Sequence, residues 1–452
     1  MPTISRSSFS IHYRKPTLNI HLYPGLLTSL LNNHDHRRLA GNVIALSILQ
    51  LVNYLLPLLL VPHLLQTLGL AQFGLYAFAA AVVAYFVILT DFGFNFTATR
   101  EISVNRKDHS YVSRVYAEVL VLRLLLSAAG LAILTVIVMS IQTLRNDALI
   151  YYLTFGNVVG HALMPVWLFQ GMERMKFITW ITVIPKIITT ACIFVFVGEP
   201  ADLPLTPLLI ASGFISSGVI ATVVVRYRLG IRFNIPEKQG LIKQLNDGWP
   251  VFVSNISISL YTVSTTVLLR VFTSEAIVGV YAAAEKMVRA VTNLYSPIAQ
   301  GLFPFISRRI SQSGHKGIPL IFRTARNVAP VTGFFSIALF IIAPHMSSWL
   351  FETEPAEATN IIRILALLPL AVSMSNIFAI QGLYSYGHHK KVLVMLLCVG
   401  GFHLLHATLL INILNGTGAA ISLLFTEILV TASAWIIFYR SVVKKKQCAP
   451  LC

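Results

Sequence analysis

Charge is what this chain is short of. Only 11% of its 452 residues are charged, and 17 acidic side chains face 34 lysines and arginines. Soluble domains average about a quarter charged residues, so a soluble globular protein, or one with a single anchor, is excluded. Cysteine is scarce as well: Cys192, Cys398, Cys448 and Cys452 are too scattered for a disulfide scaffold or a metal site. The ending CAPLC puts Cys448 fifth from the end, outside the prenylation box. The first 40 residues lack a continuous apolar stretch and read as a polar cytoplasmic leader, not a cleavable signal. Runs such as LLPLLLVPHLL lack the apolar-polar alternation of a transmembrane barrel.

What is present in quantity is hydrophobic sequence. It makes up 56% of the chain, with a mean hydropathy of +0.74. The apolar runs recur from residue 42 to residue 440, and many reach the ~20 residues needed to cross a bilayer core. The pattern predicts an all-α polytopic membrane protein. Twelve spans are expected, at about 42–68, 74–97, 115–141, 149–171, 177–198, 205–227, 249–272, 276–300, 328–351, 361–384, 391–413 and 418–440.

The net charge of +17 would suggest nucleic acid in a soluble protein. Here the basic residues fall in alternate connections, the positive-inside pattern of a membrane protein. Arg100, Arg106, Lys107 and Arg114 lie in one such connection, Arg308, Arg309, Lys316, Arg323 and Arg326 in another. The opposite connections are bare (GLAQF, NGTG) or acidic (GEPADLP, FETEPAEA). This asymmetry predicts that both termini are cytoplasmic, which an even number of spans permits.

A repeat lies beneath that topology. QFGLYAFAAAVVAYF (72–86) resembles IVGVYAAAEKMVRAV (277–291), and LFQGMERMK (168–176) echoes AIQGLYSYGHHK (379–390). The offsets are 205 and 211 residues. Two six-helix lobes with one orientation are expected, related by a pseudo-two-fold along the membrane normal around a central cavity. The chain then divides into the leader (1–40), an N-terminal lobe (41–227), a basic cytoplasmic linker (228–248), a C-terminal lobe (249–440) and a basic tail (441–452).

Charges inside the membrane cost roughly 2.5–3.5 kcal/mol each on insertion scales, and they usually face a bundle interior or a wet cavity. Lys186 is the clearest, with about 14 Å of helix on either side and a helix-bending Pro185 before it. It reads either as a cation lining a polar cavity or as a structural lysine paired with a carboxylate such as Glu427. Glu285 and Arg289 share a helical face and can pair, which leaves Lys286 to face elsewhere. Arg123 and Arg270 are further cavity candidates, although both lie closer to span ends. Asp91 opens the triplet Asp91-Phe92-Gly93 known from protein kinases, yet no nucleotide-binding lobe accompanies it. It reads as an inward-facing carboxylate, either pairing with a cation such as Arg123 or gating the cytoplasmic mouth. No pattern calls for a catalytic residue, a metal or a cofactor.

LTDFGFNFTATREIS at the end of the second span, GVYAAAEKMVRAV in the eighth, QGLFPFIS at 300–307 and FQGMERMK after the fourth occur in an order that resembles one family. It is the Wzx-type O-antigen and polysaccharide flippases, of the superfamily that includes multidrug-and-toxin exporters and the lipid II flippase. The likeness covers roughly residues 40–440. It implies a non-enzymatic transporter of the bacterial inner membrane that moves undecaprenyl-pyrophosphate-linked oligosaccharides to the periplasmic leaflet. It also implies cavity-lining roles for Lys186, Lys286 and Arg289, and partnership with a polysaccharide polymerase and a chain-length regulator. Two rival readings are a multidrug or organic-cation exporter on the same scaffold and a membrane polysaccharide polymerase or ligase. The first would favour acidic cavities, and the second usually carries a sizeable periplasmic loop, where this chain has short ones.

Overall fold

The computed structural model describes residues 34–313, 317–351 and 355–444, with side chains from residue 47 onward except at 304, 313 and 355. Most of the expected leader and residues 445–452 of the expected tail lie outside the described residues. Among those described there is no β-strand. In chain order, α1 is His34–Asp91, α2 Phe94–Asn105, α3 His109–Ser140, α4 Gln142–Asn146 and α5 Ala148–Leu163. They are followed by α6 Val166–Gly171, α7 Met175–Phe196, α8 Leu205–Tyr227, α9 Lys238–Thr262, α10 Ser264–Phe272 and α11 Glu275–Thr292. The last five are α12 Ser296–Ser313, α13 Gly317–Leu350, α14 Pro355–Leu365, α15 Leu368–Asn376 and α16 His389–Phe438.

Among the described residues eight helices are long and apolar enough to cross a membrane, or nine if α9 and α10, which meet at 41°, form one broken span. This is fewer than the expected twelve, and two of the eight are unusually long. Ser47–Asn105 and His389–Lys444 each count once, yet at 59 and 56 residues they are about twice the length a bilayer needs. Each carries a non-helical break in the uncharged turn the sequence marks. Gly69 has φ 77°, ψ 170°, and Asn415 has φ 49°, ψ −127°. Gly69 suits that reversal because it has no Cβ to clash at positive φ. The remaining stretch, at 276–300, is too rich in charge to qualify on hydropathy. A further break lies at Phe92 (φ 44°) and Gly93 (φ 83°), where the triplet ends α1 and starts α2.

The two copies of the 205-residue repeat pack against each other, and they do so reciprocally. A Cβ added at Gly74 would lie 1.8 Å from the carbonyl oxygen of Glu275, and one added at Gly279 would lie 2.2 Å from that of Leu70. Leu70 and Gly74 are the repeat equivalents of Glu275 and Gly279, so each glycine meets its own counterpart's surroundings. Reciprocity of this kind is what a two-fold relation generates. Only glycine at both sites lets the two backbones come so close.

The opposite end of the bundle is joined differently. Helix α9 begins at Lys238, inside the stretch expected to be a linker, because its first turns are anchored. Lys243 pairs with Glu101, and the buried Gln244 donates to Glu101 (3.0 Å) and Glu118 (3.1 Å). Phe92 stacks on Phe252 at 4.6 Å and 12°. Large side chains such as Phe334, Ile337, Phe340 and Ile341 on α13 are exposed, as expected of a face that meets lipid.

Candidate functional site

Between those two junctions lies a cavity of about 340 Å³. Its wall includes Lys186 of α7, Lys286 and Arg289 of α11, and Asn53, Tyr54 and Tyr76 of α1. Three cations, one of them a hundred residues before the other two, thus face one space. Their partners differ. Lys186 Nζ donates to Asn53 Oδ1 at 2.7 Å. Lys286 Nζ lies over the rings of Phe73 (5.3 Å) and Tyr76 (5.4 Å), within cation-π range, and it has no hydrogen bond or ion pair among the described residues. Arg289 is the one that holds a carboxylate, donating through Nε to Glu285 at 2.6 Å, the expected i,i+4 pair.

The i,i+4 pairing positions Lys286 as well. One residue of α-helix turns the chain by about 100°, so Lys286 projects away from Glu285 and toward the α1 aromatics. Lys186 reaches the cavity from the middle of α7, where Pro185 is accommodated inside the helix. The walls between the cations are mostly apolar, which keeps the charges in a medium where they act more strongly than in water.

The other candidates lie elsewhere. Arg123 is 3% exposed and does not line the cavity. Its guanidinium is held through both terminal nitrogens, while Nε has no hydrogen-bond partner: it pairs with Asp91 and donates to Asn95 Oδ1 (3.1 Å) and to the carbonyls of His161 (3.1 Å) and Met164 (3.0 Å). Asp91 is therefore an ion-pair carboxylate tying the end of α1 to α3, α5 and the turn before α6. The His161 carbonyl is free for it because Pro165, four residues on, has no N–H, and the Met164 carbonyl, which also accepts from Val166 N–H (3.0 Å), lies just past the end of α5. Arg270 is turned toward Glu275 (2.5 Å), beside the repeat crossing. Asp147, just before α5, belongs to the same cluster, and burial together with Glu275 raises its carboxyl above the usual range. Glu427 does not pair with Lys186. It is buried on α16 and its electrostatic neighbour is Arg289. The neutral wall residues Asn53, Tyr54 and Tyr76 were not among the candidates. Asn53, which with Gln50 makes two amides in the run LQLVNYLLPLLL, was the readable signal.

Two histidines in apolar runs are held by neighbouring side chains. His403 is fully buried between Thr265 (3.1 Å) and Thr426 (2.7 Å), and His161 stacks on Phe214 at 4.6 Å. Among the described residues no group of His, Cys, Asp or Glu is arranged to hold a metal ion.

Residues 39–309 match the family model described as polysaccharide biosynthesis protein. The chain is 30% identical over 409 residues to a protein of Escherichia coli strain K12 named "Putative O-antigen transporter", covering 90% of this chain and 98% of that one. A Shigella dysenteriae protein of the same name is 28% identical, over 86% and 97% of the two chains. Among solved structures, an inward-facing multidrug-resistance MATE transporter superposes with a TM-score of 0.64 at 14% identity, covering 90% of this chain and 99% of that one. The lipid II flippase MurJ, in an inward closed conformation, superposes with a TM-score of 0.63 at 11% identity, over 88% and 87%. At those identities the two structures show a shared fold: an all-helical, multi-pass membrane architecture. By family match and by relatives, the chain belongs to the polysaccharide biosynthesis protein family, among its Wzx-type O-antigen flippases.

Proposed function

We propose that the protein carries lipid-linked polysaccharide units across the membrane, and specifically that it moves undecaprenyl-pyrophosphate-linked oligosaccharides from the cytoplasmic to the periplasmic leaflet of the bacterial inner membrane. The observation that carries this reading is the cavity in which Lys186, Lys286 and Arg289 converge, two of them held by neutral groups alone. A diphosphate linkage brings about two negative charges, and cations held without carboxylates are available to receive them. The same charge disfavours the organic cations that an exporter on this scaffold would take.

The physical barrier is large. A sugar hydroxyl moved into hydrocarbon without a partner costs ~4–8 kcal/mol, so an oligosaccharide faces tens of kcal/mol. A hydrated passage between the lobes would remove most of that while the lipid tail stays in the bilayer. With the cytoplasm negative, outward movement of negative charge is downhill by ~2.3 kcal/mol per charge per 100 mV. Alternating access would be a rocking of two six-helix lobes, residues 41–227 and 249–440, with both termini cytoplasmic. The reciprocal Gly74–Gly279 crossing supports that division, because a two-fold relation between lobes would bring equivalent positions together in this way. A polymerase and a chain-length regulator would receive the delivered unit.

The test replaces Lys186 and Lys286 with alanine together, confirms membrane insertion and thermal stability, and measures surface polysaccharide and the leaflet holding its lipid-linked precursor. Precursor trapped in the cytoplasmic leaflet is the expected result. Normal polysaccharide from the double variant would remove the cavity from the transport route.

A further inference from the structure

A second cavity, of about 450 Å³, adjoins the first through a shared wall residue, Asn293. None of the residues lining it is charged. Its polar wall is built of Asn293, Tyr295, Ser296, Gln300, Asn376 and Gln381, with Phe303 beside them.

Two independent features mark it. The helices around it are irregular: Asn293–Tyr295 form a 3₁₀ turn between α11 and α12, and the facing Ile377–Tyr384 is a π-helix. Such departures from the α-helix recur at functional sites. In addition, three of its residues carry buried polar atoms without a hydrogen-bond partner: Tyr295 Oη, Asn376 Oδ1 and Gln381 Oε1. Gln381 is 1% exposed, and its amide donates to the Ala299 carbonyl at 2.8 Å, which leaves its oxygen unmatched. Gln300 donates to Ser296 Oγ at 3.0 Å. Burying unmatched polar atoms costs free energy unless something supplies partners.

The chemistry of this wall differs from that of its neighbour. Neutral amides and hydroxyls, with an aromatic surface beside them, match a ligand that both donates and accepts hydrogen bonds and has apolar ring faces. A phosphate would find no cation here. From Arg289 to Gln300 the chain advances about 16 Å at helical rise, so one ligand can span both cavities.

We propose that this second cavity is a carbohydrate subsite, taking the first sugars of the lipid-linked oligosaccharide while the adjoining cations hold its diphosphate. It rests on the proposed function and divides the ligand between two walls. Gln300, Asn376 and Gln381 then set glycan affinity, and Lys186 and Lys286 set affinity for the diphosphate.

The experiment uses the full chain in nanodiscs and two probes: undecaprenyl pyrophosphate alone, and the lipid-linked oligosaccharide pool extracted from the source strain. The variants are Gln300→Ala, which is exposed and tolerant, and Asn376→Leu, which replaces the unmatched amide by an apolar side chain of similar size. Wild-type protein should bind the oligosaccharide probe more tightly than undecaprenyl pyrophosphate. Each variant should lose about threefold to tenfold of the oligosaccharide affinity, the worth of one hydrogen bond, with undecaprenyl pyrophosphate binding unchanged. Equal binding of both probes by the wild type, or oligosaccharide affinity unmoved in both variants, overturns the subsite and leaves the flippase reading standing. Failure of the wild type to bind either probe overturns the flippase reading itself.

Discussion

Arg123 and the lysine pair Lys186 and Lys286 are all cations at bilayer depth, and they are held in opposite ways. Arg123 has a carboxylate, an amide and two backbone carbonyls around one guanidinium. Lys186 has a single amide oxygen, and Lys286 has two aromatic faces. A buried charge is expensive unless it is paired and hydrogen-bonded. Arg123 meets that condition within the fold, so it serves the fold. The lysines meet it only in part, and they do so beside a cavity. The comparison teaches that depth in the membrane does not by itself nominate a binding residue. The kind of partner does.

The sharpest way to break the comparison is to remove Arg123. Arg123→Leu leaves the half-buried Asp91 without its cation, together with the His161 carbonyl, which loses its side-chain donor. Breaking a buried pair from one side costs about 3–5 kcal/mol, so the variant should show strongly reduced thermal stability and poor accumulation in the membrane. Asp91→Asn removes the other partner's charge but keeps a hydrogen-bond acceptor, and should lose less. If Arg123→Leu melts like the wild type and fails only in polysaccharide output, Arg123 belongs with the lysines and the distinction falls.

A second test, smaller in its effect on stability, uses the repeat crossing. Gly74→Ala or Gly279→Ala would place a Cβ at 1.8 or 2.2 Å from a backbone carbonyl oxygen, and backbone cannot step aside as a flexible side chain does. Overpacking of this kind typically costs 1–3 kcal/mol. The crossing is reciprocal, so the two substitutions should destabilise to a similar degree, read as melting temperature of the purified protein. A large cost at one glycine and none at the other would show that the symmetry in contacts is not a symmetry in energy.

How much of this was legible beforehand follows from the same contrast. Lys186, Lys286 and Arg289 could be read as candidates because a charge inside an apolar run is conspicuous in one dimension. Their convergence could not be read, since it depends on how α7 and α11 pack against α1. Arg123 looked like the lysines because nothing local distinguishes it; its four partners lie 28 to 41 residues away in sequence and become neighbours only where α5 ends at Leu163. On charge alone Glu427 is one possible partner for Lys186, but Lys186 donates to Asn53 and the cation acting on Glu427 is Arg289. The breaks at Gly69 and Asn415 are the converse case: each is legible in the sequence as an uncharged turn, and each has non-helical backbone in the structure.

The smallest expected effect belongs to Arg270, the candidate whose placement is intermediate. Its ion pair with Glu275 is about as short as the Arg289–Glu285 pair (2.5 and 2.6 Å), but the two side chains are 25% and 29% exposed and the pair lies outside the cavity. Partly solvated pairs contribute ~0–1 kcal/mol because solvent screens them and ordering two long side chains costs entropy. Arg270→Gln keeps a hydrogen-bond donor beside Glu275 and should move the melting temperature by no more than about 2 °C, with polysaccharide output at the wild-type level. Normal stability with collapsed output would assign this pair to the transport cycle, at the crossing where Gly74 and Gly279 hold the repeats together. In that event exposure, and not only the kind of partner, would have to enter the rule that separates Arg123 from the lysines.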